Sequence, residues 1–408
     1  MDHVTRNATE QIVSEIQDWV KSFANKSEQL GTSADAAAFE NELRDEGLKM
    51  IGSIFERLFQ NALDHQDEDR TCPKCGRSRR HKGRRKRGLL SSVGSIRLEG
   101  IYWYCSDCGG QHSADTLAPE SSSRPMQQLL CLLGTSMAGF AKASFVGKKM
   151  LGIHVSDATI RRLCHEHGRS VPVNPVPMEP KTDVFGSCDG TMVNTRQSGW
   201  KELKAYQFRY GTNKHGRAYL EPSNKFVPRL RQAAIAIQAG EAQRMFWVSD
   251  AAEWIDKGVA EQLPMATRII DIWHAKEHIH DASREVYPDN RDKARQWADR
   301  YCEVLEDSGG YALWDRLRHA RYAEPDRQKA VEALRKYLHK NSDRLAYQEY
   351  RDKGYPNSSG TMESFCKQLG QRMKGPGMRW NIENVTPMAT LVSIWANNEW
   401  DRHWKTVA

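Results

Sequence analysis

The sequence has no uninterrupted apolar run near the ~18 residues that a membrane span requires. Its polar start, MDHVTRNATEQ, lacks the apolar segment of a signal peptide. Both absences lead to the expectation of a cytoplasmic protein with no membrane partner. Internal repeats and low-complexity tracts are missing too, which sets aside repeat architectures. Cysteine does not come in an even set: nine residues fit a reducing interior better than a disulfide framework. What is present is a chain of 408 residues, 39% apolar with twelve tryptophans, enough for two or three folded cores.

Acid is absent from one stretch. RSRRHKGRRKR, residues 77–87, carries eight Lys/Arg and no Asp or Glu. Since the whole chain has a formal charge of +8, the remainder sums to zero. Concentrated in this way, the surplus is an electrostatic footprint for a polyanion, and the sequence reads it as a loop connecting two strands. It lies between CPKC (72–75) and CSDC (105–108), a C-x2-C-x29-C-x2-C pattern. Cys72, Cys75, Cys105 and Cys108 have the spacing of two knuckles on a β-ribbon around tetrahedral Zn2+. Four thiolates leave no open coordination position, so this zinc is expected to be structural.

The ribbon is expected between helical stretches. Residues 10–66 show helical periodicity, with Ile12, Ile16, Trp19, Val20 and Phe23 on one face, suited to packing or dimerisation. KASFVGKKMLGIHVSDATIRRLCHEHG has the form helix, turn, helix: Gly152 ends the first and Ser156 caps the second. Ile160, Leu163, Cys164 and His167 then face inward, and Arg161 and Arg162 face outward, as in a DNA-reading helix-turn-helix. The expected segments are a helical region 1–68, a zinc ribbon 69–118, a helix-turn-helix region 119–170, a proline-rich linker 171–182 and a catalytic domain 183–408.

In that last segment three strands, a helix, a strand, a helix and a strand predict an α/β domain with a mixed five-stranded sheet. Helices follow over about 275–350 as an insertion. Asp189 falls within the first strand, Asp250 at the end of the fourth, and Glu363 in the first turn of a helix opening near Met362. Brought together over the sheet, three carboxylates would repel one another and invite two Mg2+ or Mn2+ ions for phosphodiester chemistry.

At these residues the chain resembles a known family. DGT, SDAAEW, IIDIWHAKEHI and MESFCKQLGQRMKGPGMRW, with the upstream HKGRRKRGLLSSVGSIRLEGIYWYCSDCG, are similar to the RNase H-like DDE transposases of bacterial insertion sequences. The Kra type, related to the Mutator-like elements, matches best, over about residues 70–404. The resemblance implies that Asp189, Asp250 and Glu363 are the metal ligands. Asp271 and His274 would match a [C/D]-x-x-H signature on the fifth strand, supporting the active site. It also implies DNA as partner, both the element's terminal inverted repeats and the target, and a homodimer or larger assembly that cuts both ends. Lys82, Arg84, Arg85, Lys86 and Arg87 would contact phosphates, Arg161 and Arg162 would lie near a groove, and Arg372, Lys374 and Arg379 would hold the DNA backbone.

Two other readings compete. A zinc-ribbon and helix-turn-helix regulator with an inert RNase H-like half would bind DNA without cutting it. A zinc peptidase would use His274-x-x-Glu277-His278, a motif that needs a long helix and a further carboxylate ligand. Because His274 closely follows Ile269 and Ile270, the sequence favours a strand there and disfavours the peptidase.

Overall fold

The computed structural model describes residues 3–65 and 70–406. The chain falls into two compact units, one ending at Cys164 and the other starting at His165. Among the described residues no helix is long and apolar enough to cross a membrane.

The first unit opens with α1 (His3–Ser27) and α2 (Ser33–Asp64), the helices expected from the periodicity. Thr32 opens α2 with a reciprocal cap: its hydroxyl accepts from the Asp35 N–H, and the Asp35 carboxylate accepts from the Thr32 N–H. Strands β1 (Arg80–Ser91), β2 (Gly94–Cys105) and β3 (Gly109–His112) then form an antiparallel sheet in that spatial order. Most of the basic run, read from sequence as a loop, is therefore strand β1. The cause lies in its partner. β2 alternates so as to bury Ile96 and Leu98, and it pairs with β1 from Arg80↔Tyr104 to Ser91↔Gly94, across an irregularity between His81 and Arg84. β1 has no buried apolar residue before Leu89, so its own pattern gives no period-2 signal. Leu63, Leu89, Ile96, Leu98 and Ala114 make the core, with Phe55 and Phe59 of α2 against it.

Three helices complete this unit: α3 (Arg124–Ser136), α4 (Phe140–Leu151) and α5 (Asp157–Ser170), the last crossing the boundary between units. Gly152, at φ +67°, ends α4, and the Ser156 hydroxyl accepts from the Thr159 N–H to open α5. Ile160, Leu163 and Cys164 are buried as the stripe requires.

The second unit is built on five strands: β4 (Val184–Thr195), β5 (Gly199–Tyr210), β6 (Asn213–Tyr219), β7 (Met245–Ser249) and β8 (Ala266–Ile270). Their order is β6-β5-β4-β7-β8; β4, β5 and β6 run antiparallel in series, and β7 and β8 join parallel to β4. The expectation of a mixed five-stranded sheet with flanking helices is met. β7, MFWVS, is buried at every position, which is why it reads as a continuous apolar run. Helices α6 (Ser223–Ala236) and α7 (Glu253–Gln262) cover one face over Val184, Cys188, Phe208 and Trp247.

On Phe246, Val248 and Ile269 pack the inserted helices α8 (Ile272–Val286), α9 (Arg291–Leu317, broken at Gly309), α10 (Pro325–Lys340) and α11 (Tyr347–Asp352). Each buried phenylalanine, such as Phe208 and Phe246, contributes about 1.5–3 kcal/mol. α12 (Gly360–Met373) packs on β4, and α13 (Ile382–Ala396) packs on β6. α12 is not the last helix, since α13 and the short α14 (Trp400–Thr406) follow it.

Candidate functional site

In the first unit the four cysteines converge. Their sulfur atoms all lie within 4.8 Å of one another, the one group of three or more metal-ligating side chains among the described residues. The two knuckles are built alike: each second cysteine is followed by a glycine at positive φ, Gly76 at +73° and Gly109 at +80°, where a side chain would be strained. The Cys75 and Cys105 sulfurs stand 3.6 Å apart. That suits the ~3.8 Å edge of a tetrahedron with Zn–S bonds of about 2.3 Å. Burial works against ionisation of Cys72, but the N–H groups of Lys74 and Cys75 hold its thiol down at about 6. Cys108 is pushed up to about 12, first by its hydrogen bond with Cys75 and then by burial. A divalent cation at the centre would relieve that competition and hold all four as thiolates.

The basic strand beside this group is partly committed. Arg84 pairs with Asp64 at 2.9 Å, and Arg87 pairs with Asp115 at 2.5 Å. Arg85 places its guanidinium over the Tyr102 ring, 3.6 Å from the centroid. Lys82, Arg85 and Lys86 form no ion pair among the described residues, although Lys86 faces Glu99 across the strands. Arg161 and Arg162 are exposed on α5.

In the second unit the sheet register does most of the positioning. β4 and β7 pair as Val184↔Met245, Phe185↔Phe246 and Gly186↔Trp247, and the Ser187 hydroxyl donates to the Val248 carbonyl at 2.6 Å. β7 ends at Ser249, so Asp250 lies just past the strand, near enough for its charge to act on Asp189. Burial raises the Asp189 pKa, and the Asp250 charge raises it further, against the pull of the Gly190 N–H at 2.6 Å. Cys366 of α12 hydrogen-bonds Asp189. Its own thiol is pushed up by burial and then by the Asp189 charge. Sequence reasoning passed over Cys366, because a lone cysteine on a helix carries no spacing signal.

Glu363 lies one turn before Cys366 on α12, so the helix is correctly placed, but its carboxylate is not with the aspartates. It is 67% exposed and pairs with Lys367 at 2.9 Å. Asp250 and Cys366 thus act on Asp189 as neighbours, but the three form no metal-ligating group among the described residues, and Glu363 lies one turn away.

The stretch IIDIWHAKEHIH is resolved differently from expectation. β8 stops at Ile270, Asp271 caps α8 by accepting from the Trp273 N–H at 2.8 Å, and His274 lies in the first turn of that helix. The placement of Asp271 and His274 on a fifth strand is therefore corrected: the Asp271 carboxylate satisfies a helix terminus and ends the strand. The helix required by a zinc peptidase is present. What is missing among the described residues is a third ligand: His274 and His278 belong to no metal-ligating group of three. His278 instead packs on Tyr337, ring centroids 4.0 Å apart, and His274 sits 3.5 Å from Glu277. Asp271 does reach the site's frame, because both the N–H and the hydroxyl of Ser359, in the loop entering α12, donate to it at 2.6 Å.

Of the downstream cations, Lys374 and Arg379 are exposed. Arg372, expected to hold the DNA backbone, is 3% exposed with its guanidinium 5.2 Å from the Trp380 ring, so it offers little surface to a phosphate. The C-terminal helices, given no role from sequence, close the far edge of the sheet. Glu399 accepts from His215 at 2.8 Å and pairs with Arg217 at 2.7 Å, all three buried.

No family model matches the chain, and no curated protein matches it. Among solved structures it is similar to the Drosophila P element transposase strand transfer complex at 9% identity, over 69% of this chain and 79% of that chain, with a TM-score of 0.26. It is also similar to NurA at 9% identity, over 60% of each chain, with a TM-score of 0.12. At these TM-scores neither likeness bears on fold or function.

Proposed function

We propose that the chain is a DNA transposase with an RNase H-like catalytic domain, which binds the inverted ends of its own mobile element, cleaves them and joins them to target DNA. The observation that supports this reading is the parallel pairing of β4 and β7, with Asp189 on β4, Asp250 just past the end of β7 and its charge raising the Asp189 pKa, and with α12 packed on β4. Paired carboxylates of this kind suit Mg2+ or Mn2+, and two such ions would supply an activated attacking oxygen and a stabilised leaving oxygen. Asp189 and Asp250 hold that site in our reading, and Glu363 joins them by turning from Lys367. Asp271 fixes the loop before α12 and is a positioning residue. In the N-terminal unit the zinc-stapled ribbon presents Lys82, Arg85 and Lys86 to phosphates, with Arg161 and Arg162 near the groove. Assembly of two copies would use apolar residues left exposed on α1 and α2, among them Val20, Ile51 and Leu58.

The test is cleavage of a duplex carrying the inverted repeats that flank the reading frame, with Mg2+ present. Specific nicks leaving a 3′-OH are expected from the wild-type chain and none from Asp189→Asn. A chain that binds this duplex without ever nicking it supports the second reading, a DNA-binding regulator, which the Glu363–Lys367 pair favours.

A further inference from the structure

A cavity of about 400 Å3 opens on the second unit, lined by Phe185, Ser187, Arg209, Val248, Asn357 and Ser359 among others. It shares the sheet face of Asp189, since Phe185, Ser187 and Asp189 alternate along one side of β4. Ser187 is one pleat repeat from Asp189, roughly 7 Å, and Phe185 is roughly 13 Å away. Its size is within the roughly 300–1,000 Å3 range of small-ligand sites.

The wall has two features that the carboxylate site does not use. The Arg209 guanidinium covers the Phe185 ring at 4.5 Å, and that ring stacks in turn on Phe246. This leaves a planar cation at the mouth of the cavity, a surface on which a base can stack. Arg209 also lies directly opposite Lys214 in the β5–β6 register, on the same face. Like charges in that position repel, and neither residue forms an ion pair among the described residues. An anion between them would remove the cost.

The geometry points to a single-strand binding site in which one nucleotide of the DNA leaving the carboxylates places its base in the cavity against Arg209. Its phosphate lies between Arg209 and Lys214. The inference rests on the transposase reading for its choice of DNA.

The experiment uses the full chain with its zinc and with no Mg2+ or Mn2+ added, so that no cleavage occurs, with a single-stranded 20-nucleotide oligodeoxynucleotide bearing 2-aminopurine at successive positions. Wild type is expected to quench the probe at one position. Arg209→Ala with Lys214→Ala should lose that quench and flatten the slope of log affinity against log salt by about 1.4, two contacts at about 0.7 each. Arg209→Lys should restore the slope and not the quench, which separates charge from stacking. A double variant with wild-type slope and quench overturns the inference. If the slope falls as expected but wild type never cuts DNA in Mg2+, the strand site stands and the transposase reading falls.

Discussion

Asp271 and Ser359, 88 residues apart in sequence, are joined by two hydrogen bonds of 2.6 Å. The same carboxylate caps α8, so one buried side chain ties the end of β8, the start of α8 and the entry to α12. Asp271→Ala should reduce stability by about 2 kcal/mol, from a lost cap and stranded donors. Ser359→Ala, which removes only the hydroxyl, should reduce it by about 1 kcal/mol. Urea denaturation measures both. A change below about 0.5 kcal/mol for Asp271→Ala would show that the tie does not hold the helix.

Glu363 and Lys367 form an exposed pair, so breaking it has little bearing on stability. Their roles in cleavage should differ sharply. Glu363→Gln is expected to slow end cleavage on the order of a hundredfold or more, while Lys367→Ala keeps wild-type rates because it releases the carboxylate. Equal loss in both variants would mean that the pair, and not the free carboxylate, serves cleavage.

The ribbon predicts one zinc per chain, released on Cys72→Ser and measured by a colorimetric chelator after denaturation. Binding of duplex DNA should weaken with it, because β1 and β2 hang from the two knuckles. Retained zinc in Cys72→Ser together with unchanged binding would contradict a four-thiolate site.

Buried histidines set an acid limit on stability. His403 is held down to about 4, first by burial and then by neighbouring His167, and neither ring nitrogen has a hydrogen-bond partner among the described residues. His215 is lowered as well, mainly by burial. The unfolded chain protonates each near 6.5 and the folded chain only at lower pH, so stability falls as pH drops below 6.5. For His403 that loss runs down to about 4, with a slope approaching about 1.4 kcal/mol per pH unit. Glu399 acts in a lower window. Burial alone would raise its pKa, but His215 and Arg217 bring it below the ordinary value, so its contribution is lost only as pH falls through that lowered value. Urea midpoints at pH 7, 6 and 5 should decline, and less so in His403→Phe. A flat profile in wild type would rule this out.

The sheet and its two aspartates were legible because two apolar strands each ran into an aspartate followed by a small residue, a pattern that survives without neighbours. The cysteine knuckles were legible for a similar reason, since their spacing is local. β1 was not, because its six cations give no alternation and only pairing with β2 makes them a strand. The start of α8 was misplaced by a single residue's role: Asp271 follows Ile269 and Ile270 as a strand residue would, yet its side chain caps a helix. Glu399, His215 and Arg217 were invisible as a cluster because their sequence separation, not their chemistry, hides them.

The central claim is that Asp189 and Asp250, completed by Glu363, seat divalent ions. Electron paramagnetic resonance of Mn2+ titrated into the full chain tests it directly. The account predicts bound Mn2+ in the wild type and its loss in both Asp189→Asn and Asp250→Asn, with each variant still folded by thermal melting. Wild-type Mn2+ binding in both variants would contradict it.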